Sequence, residues 1–145
     1  MKLCIKLGGG GKKLKNNLYD KDKHKDKDKR MSKKYVENVS EPWFTLISLG
    51  LKTIEGRKNK GRFEEMEVGD IIDWNNKDFN PRNVLTKITK KTVYNTFQEY
   101  LEKEGLQKCL PGINTIEDGL SVYFKYFTEE DEKKYGVVAI GLELI

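Results

Sequence analysis

Four side chains with complementary chemistry lie close together in the segment Lys52-Thr-Ile-Glu-Gly-Arg57. In an extended segment alternate side chains share a face, so Thr53, Glu55 and Arg57 are expected together, with Lys52 at the turn leading into the strand. A strand that only stabilises a fold carries apolar residues on its buried face. This one offers an ammonium, a hydroxyl, a carboxylate and a guanidinium, which predicts the floor of a binding cleft.

Three interpretations of these side chains are open. In the first, the cleft binds a nucleotide: Arg57 contacts a phosphate or base edge, Lys52 supplies a point charge, and Glu55 accepts from an exocyclic amine. In the second, the cleft is catalytic, because a lysine with a lowered pKa can act as a base or nucleophile while Glu55 or Glu104 moves the proton. In the third, Glu55 bridges Lys52 and Arg57 only to satisfy buried charge.

Further side chains could extend the cleft. Lys60 and Arg62 would add positive charge to its rim, or they form an ordinary surface turn. Tyr126 and Tyr135 could stack on a base, whereas Tyr123 shares the helical spacing of its apolar neighbours and is expected in the core.

Spacing and punctuation predict the elements that position these residues. Ser40 is a candidate helix cap, Pro42 fits a first turn, and Gly50 is a typical left-handed stop, so a short helix precedes the polar strand. Other strands are expected at 35–39, 71–74, 84–94 and 136–145, helices at 96–104 and 115–127, and a helical turn at 129–134. Short strands dispersed among helices predict an α+β fold with a mostly antiparallel, barrel-like sheet flanked by helices.

Charge is unevenly distributed along the chain. Residues 1–34 hold 13 Lys and Arg against 4 Asp, whereas residues 35–145 hold 15 Lys and Arg against 19 Asp and Glu. The Gly-rich and Lys/Asp-rich composition of residues 1–34 offers no apolar face, which predicts a disordered tail before a domain at 35–145. Nucleic-acid contact by this mildly acidic domain would need a local cationic cleft, and the tail would add sequence-independent affinity for phosphate.

Composition argues against several kinds of site. The single histidine, His24, lies in the tail, and Cys4 and Cys109 are far apart, so neither a His-based triad nor a zinc site is expected. We predict no cofactor and no metal. The cysteine usage favours an intracellular location, cytoplasmic or nuclear. No apolar run in the sequence approaches the length of a membrane span, so no membrane partner is expected, and the expected state is a monomer.

Three motifs stand out when the chain is taken as a whole: Pro42-Trp43-Phe44 followed by Gly50-Leu-Lys-Thr-Ile-Glu-Gly-Arg57, then Val68-Gly69-Asp70, and finally Tyr135-Gly-Val-Val-Ala-Ile140. Together they resemble an ASCH domain, a member of the PUA-like superfamily, over about residues 35–145. The resemblance implies a small β-barrel flanked by helices, with a cleft into which the polar strand projects. It also implies RNA binding, with proposed roles in translation, transcription coactivation or RNA processing.

The chain is also distantly similar to a bacterial branch of that family, which hydrolyses N4-acetylcytidine to cytidine and acetate. That branch uses a lysine in its G-x-K-T segment, a threonine three residues later and a glutamate in a later helix. Lys52 corresponds to the lysine, Glu55 stands where the threonine would be, and Glu104 is the candidate for the later carboxylate.

The function predicted from these observations is an RNA- or modified-nucleotide-binding module. Its candidate ligand-binding residues are Lys52, Thr53, Glu55, Arg57, Lys60, Arg62 and Tyr126. The alternative is a metal-independent amidohydrolase on N4-acylated cytidine, or a ribonuclease, in which Lys52 acts with Glu55 or Glu104. A protein-interaction domain, whose acidic stretch Glu129–Glu132 meets a basic partner, is a third alternative.

Overall fold

A curled sheet of five strands frames the molecule in the computed structural model, which describes residues 30–78 and 81–145. The strands are β1 (Lys34–Asn38), β2 (Ile54–Lys58), β3 (Ile71–Asn76), β4 (Arg82–Tyr94) and β5 (Val137–Leu144). Their order across the sheet is β1-β3-β4-β5-β2, with β1 parallel to β3 and the other neighbours antiparallel. The expected mostly antiparallel α+β fold is confirmed, as a half-barrel whose edge strands are β1 and β2.

Helices cover the sheet and connect its strands. In the described part of the chain they are α1 (Trp43–Ser48), α2 (Arg62–Glu65), α3 (Phe97–Glu104), α4 (Leu106–Cys109), α5 (Ile116–Tyr123) and α6 (Glu129–Tyr135). The predicted strands are confirmed with ends that differ by up to two residues, and α3 and α6 also match their predictions. α2 and α4 have no predicted counterpart, because helices of four residues are too short to display apolar periodicity.

The helix predicted at 115–127 is shorter than expected. Its last residue is Tyr123, and the chain then turns before Thr128, which caps the start of α6. Thr128 and Asp131 form a reciprocal capping box, in which each side chain accepts from the other residue's backbone N–H. The capping box makes α6 a separate helix, as predicted.

The start of α1 also differs from the prediction, since Ser40 is not its cap. Pro42 holds that position, and the carboxylate of Glu41 accepts from the backbone N–H and hydroxyl of Thr45 at 3.1 and 2.8 Å. Gly50 adopts the expected left-handed conformation, with φ of 71°, and ends the helical turn.

β5 is buried on both faces, which accounts for its uninterrupted apolar run. Val138 and Ile140 belong to a core that includes residues of α1, β1, β3 and β4. Val137 and Ala139 belong to a second core, built mainly by α3, α4 and α5. β2 pairs with β5 and so lies where the two cores meet, at an edge of the sheet.

The predicted tail and the predicted absence of a membrane span are considered next, for the described residues. The predicted tail at 1–34 lies outside the described residues except for Arg30 to Lys34, and Lys34 already begins β1. Of the helices in residues 30–78 and 81–145, none combines the length and apolar character needed to cross a membrane.

Candidate functional site

A cleft of about 460 Å³ lies beside β2 and is lined by residues of both edge strands. β2 contributes Glu55 and Arg57 to its floor, with Lys52 just before the strand, and Asn38 contributes from the end of β1. The remaining walls come from the start of α1, the end of β3 and the region around the end of α5. The cleft therefore occupies the gap between the two edges of the half-barrel.

The turn after α1 places Lys52 at the bottom of this cleft. The backbone N–H of Lys52 donates to the carbonyl of Leu46 at 3.0 Å, which folds the chain back across the end of the helix. The N–H of Thr53 then donates to the carbonyl of Lys108 at 3.0 Å. These two hydrogen bonds fix the segment that enters β2, and the side chain of Lys52 is left only 1% exposed.

The Lys52 ammonium is fully engaged by protein groups. It donates to the carbonyl oxygens of Ile54, at 2.8 Å, and of Cys109, and its Nζ lies 3.4 Å from Oε2 of Glu55. These three protein groups surround the ammonium, which has three N–H donors. Burial lowers the pKa of Lys52, and the carboxylate of Glu55 opposes that shift.

Glu55 sits between two cations and keeps one acceptor position open. Its Oε2 faces Lys52, while its Oε1 lies 3.4 Å from Nε of Arg57 and accepts the N–H of Gly56 at 3.1 Å. A carboxylate offers about four acceptor positions, and in the described residues the hydrogen bond to Glu55 comes from Gly56 to Oε1, so Oε2 keeps acceptor capacity. This geometry contains the predicted ion-pair bridge and also leaves room for a ligand donor.

Arg57 is held by aromatic rings and by the opposite edge strand. Its guanidinium carbon lies 5.2 Å from the ring centre of Phe63 and 5.4 Å from that of Trp74. One Nη donates to the carbonyl oxygen of Asn38 at 3.0 Å, so Arg57 links β2 to β1 across the gap. Its Nε faces Glu55, and within residues 30–78 and 81–145 no hydrogen bond from its second Nη is found, so that Nη can donate to a ligand.

Aromatic side chains form one wall of the cleft. Tyr126 is 60% exposed, and its hydroxyl lies 3.0 Å from that of Ser40. Tyr123 is buried, as its spacing predicts, yet it also lines the cleft. Trp43 is half-buried, with its ring centre 5.8 Å from Nζ of Lys52. These rings give the cleft flat apolar surfaces above a charged floor.

Thr53 does not line the cleft with the rest of the predicted polar face. It lines a second cavity of about 300 Å³, which Thr86 and Leu144 also line and which shares Lys52 with the cleft. The physical reason is that β2 begins only at Ile54, so the alternation of the strand does not extend back to Thr53.

Glu104 also lies outside the cleft and is not brought together with Lys52. Its carboxylate accepts from the hydroxyl of Tyr94 at 2.7 Å and from the ammonium of Lys90 at 2.9 Å. Burial raises the pKa of Glu104, but these two partners outweigh it and hold the pKa below its usual value. Glu104 therefore belongs to a structural cluster between β4 and α3.

Lys60 and Arg62 follow β2 and do not line the cleft either. Arg62 pairs with the buried carboxylate of Glu37 through two contacts of 2.9 and 3.2 Å, which tie α2 to β1. Lys60 lies against Tyr135, with its Nζ 3.3 Å from the tyrosine hydroxyl. Of the seven predicted ligand-binding residues, the cleft brings together Lys52, Glu55, Arg57 and Tyr126.

Sequence reasoning missed the contributions of Asn38, Trp43 and the two asparagines that end β3. Because β1 and β3 are parallel, their carboxyl ends meet at the same side of the sheet, beside the cleft. The two polar residues Asn75-Asn76 at the end of a strand were a signal for a binding residue. That signal points to this cleft only when the pairing of β1 with β3 is known.

No candidate metal centre is found in the described ranges. Among residues 30–78 and 81–145, no three or more His, Cys, Asp and Glu side chains are grouped so that they could hold an ion.

Comparison with known proteins identifies the family. The model of the ASCH domain matches residues 38–145. The hypothetical protein PH0355 is 40% identical, with a TM-score of 0.71 over 77% of this chain and 99% of that one. Protein PF0455 from Pyrococcus furiosus is 38% identical, with a TM-score of 0.64 over 77% and 97%. A ZmASCH mutant protein from Zymomonas mobilis matches at 12% identity and a TM-score of 0.49, over 77% of this chain and 68% of that one. Curated proteins gave no match. The chain belongs to the ASCH domain family.

Proposed function

We propose that this protein binds RNA or a modified nucleotide, with one base held in the cleft between β1 and β2. The observation that carries the proposal is the floor of the cleft, where Glu55 presents an open acceptor beside the free N–H groups of Arg57. An exocyclic amine next to a ring acceptor, as on cytosine, complements that pair. Membership of the ASCH family supports a role with RNA or nucleotides.

The size and walls of the cleft support the same proposal. A volume of about 460 Å³ falls within the range of small-molecule sites, and the exposed ring of Tyr126 offers a face for stacking. In this proposal Lys52 acts through Glu55, because its ammonium is held by two backbone carbonyl oxygens and by that carboxylate. It holds Glu55 in place, and the ligand contacts fall to Glu55 and Arg57.

Calorimetric titration with unmodified and N4-acylated nucleosides tests this function. We expect Glu55→Gln to weaken binding roughly tenfold to a hundredfold, because the ligand loses a charge-assisted hydrogen bond. Glu37→Gln is the matched control, since Glu37 is also buried and paired with an arginine but lies outside the cleft. Equal losses in the two variants, or no binding by the wild-type protein, would contradict the proposal.

The buried position of Lys52 favours a second candidate, a metal-independent amidohydrolase on N4-acylated cytidine or a ribonuclease. Burial lowers the pKa of Lys52, which increases the fraction of neutral amine that can act as a base or nucleophile, with Glu55 as its proton partner. Product analysis by chromatography separates this candidate from simple binding. Catalysis predicts turnover that Lys52→Ala abolishes and Lys90→Ala, at a lysine outside the cleft, preserves.

A further inference from the structure

Three lysines converge on the ring of Tyr135, at the far end of β2 from Lys52. Their Nζ atoms lie 5.6 Å from the ring centre for Lys58, 4.8 Å for Lys60 and 5.2 Å for Lys134. The ring is half-buried, and Lys60 and Lys134 are exposed. We call these four residues the Tyr135 platform. It combines an aromatic face with closely spaced positive charge, within a domain whose sequence is acidic overall.

Most of the charge of the Tyr135 platform is not neutralised by the protein. Lys58 pairs with Asp131 at 3.5 Å, but within the described residues no carboxylate lies at ion-pair distance from Lys60 or Lys134. The hydrogen bond from Lys60, followed by that from Lys134, lowers the pKa of the Tyr135 hydroxyl. Like charges held this close repel one another, so a bound anion would stabilise the arrangement.

The Tyr135 platform lies close to the cleft along the chain and in space. Lys58 directly follows Arg57 of the cleft floor, and its side chain leaves the opposite face of β2, so a ligand that contacts both passes around this edge strand. α6 connects the aromatic wall to the platform, since it starts just after Phe127 and ends at Tyr135, a span of about 10 Å for seven residues. The central acids of α6 are already engaged, Asp131 by Lys58 and Glu132 by the backbone N–H of Phe97 at 3.0 Å.

We propose that a single-stranded polynucleotide passes from the cleft around the edge strand β2 to the Tyr135 platform, where one base stacks on Tyr135 as Lys60 and Lys134 move from its ring to the flanking phosphates. This inference rests on the proposed function and specifies its ligand as a strand rather than a free nucleoside. Proteins that bind single strands combine aromatic side chains with basic ones. Any base can stack on an aromatic ring, while ammonium groups contact the phosphates of the backbone.

The test compares binding of a labelled single-stranded oligonucleotide with binding of a nucleoside, using the full-length chain throughout. The double variant Lys60→Ala, Lys134→Ala should bind the oligonucleotide roughly tenfold more weakly at low salt, and the slope of log affinity against log salt should become shallower by about 1.4. The matched control is Lys87→Ala, Lys103→Ala, which removes the same charge from two exposed lysines outside the cleft and the platform. Tyr135→Leu should weaken oligonucleotide binding roughly tenfold without changing the salt slope. Tyr135→Phe keeps the aromatic ring and should therefore bind the oligonucleotide as the wild-type protein does.

The outcomes separate the two proposals. Nucleoside binding by calorimetry should be the same in all these variants, because none of the substituted residues lines the cleft. If the platform and control double variants lose equal oligonucleotide affinity while nucleoside binding persists, the strand does not bind at the Tyr135 platform and the cleft function stands. If platform-dependent oligonucleotide binding occurs without any nucleoside binding, the cleft function and the path from the cleft are wrong, and only the contacts at the platform stand. RNA and DNA oligonucleotides of the same sequence distinguish the two sources of a single strand.

Discussion

At the scale of single residues, Lys52 and Glu55 depend on each other. Both side chains are almost fully buried, and removing two charges from water costs free energy that only close pairing and hydrogen bonds offset. Here the offsets are the contact between the two side chains and the carbonyl oxygens of Ile54 and Cys109. The pair therefore gives the floor of the cleft a fixed geometry, which a binding or catalytic site requires.

This dependence predicts a large loss of stability on removing the cation. Lys52→Met should lower the free energy of unfolding by about 3 to 5 kcal/mol, because Glu55 is left buried beside carbonyls that lose their donor. Urea unfolding followed by circular dichroism measures the change. Lys90→Met is the comparison, since Lys90 is 55% exposed although its partner Glu104 is buried. If the two variants lost similar stability, the Lys52 pair would not be the stronger interaction.

Cys109, whose carbonyl binds Lys52, gives a prediction on pH. Burial raises the pKa of its thiol from 9.0 to about 11, so the folded chain keeps a proton that the unfolded chain releases. Stability from this group is complete below pH 9 and is lost as pH rises to about 11, amounting to about 2 to 3 kcal/mol. Under reducing conditions, Cys109→Ala should therefore show a smaller decrease in unfolding free energy across that interval than the wild-type protein. An identical decrease in both would contradict the assignment.

At the scale of elements, the packing of β2 against α3 depends on a glycine. A Cβ atom placed on Gly56 would lie 2.7 Å from the ring of Tyr100, which is fully buried. Only glycine lets the strand approach the helix this closely. The same contact sets the position of Glu55 and Arg57, which flank Gly56 in the cleft floor.

Gly56→Ala should therefore destabilise the protein by about 1 to 3 kcal/mol, because the ring of Tyr100 must move in a packed core. Thermal and urea unfolding measure the loss. A double-mutant cycle with Tyr100→Leu identifies the cause, since the substitution at Gly56 should cost less once the ring is absent. Equal costs in both backgrounds would show that the strain lies elsewhere.

The sequence predicted these elements well where a periodic or punctuating signal was long enough. Gly50 marked a helix end correctly, and the helix predicted at 96–104 and the strand predicted at 136–145 are present with ends that differ by one residue. The polar face was predicted only in part, because alternation correctly joins Glu55 to Arg57 but β2 begins after Thr53. Glu104 was placed by analogy with a later helix, and its partners Lys90 and Tyr94 depend on how β4 and α3 pack, which spacing does not reveal.

At the scale of the whole molecule, charge is divided between a basic N-terminal segment and a mildly acidic domain. The segment before Arg30 alone holds 10 lysines against 4 aspartates. Within the domain, the Tyr135 platform and Arg57 supply positive charge locally. Affinity for a polynucleotide is therefore expected to combine a sequence-independent contribution from the segment with a localised one from the domain.

Deleting the residues before Arg30 should weaken oligonucleotide binding and make its salt dependence shallower, since cationic contacts to phosphate are lost. Nucleoside binding in the cleft should not change. A full-length variant with these lysines replaced by glutamine is the control for chain length, and it should match the deletion. A loss of nucleoside affinity in either variant would show that the segment contributes to the cleft.

The central claim is that the cleft between β1 and β2 binds a nucleobase, and mapping by nuclear magnetic resonance tests it most directly. Isotope-labelled full-length protein would be titrated with cytidine, N4-acetylcytidine and uridine while backbone and indole signals are followed. We predict saturable shifts that cluster at Trp43, Gly56 and Tyr126, with cytidine or its acetylated form binding more tightly than uridine. Shifts that fail to saturate, or that cluster around Thr53 or Tyr135 instead, would contradict the assignment of this cleft.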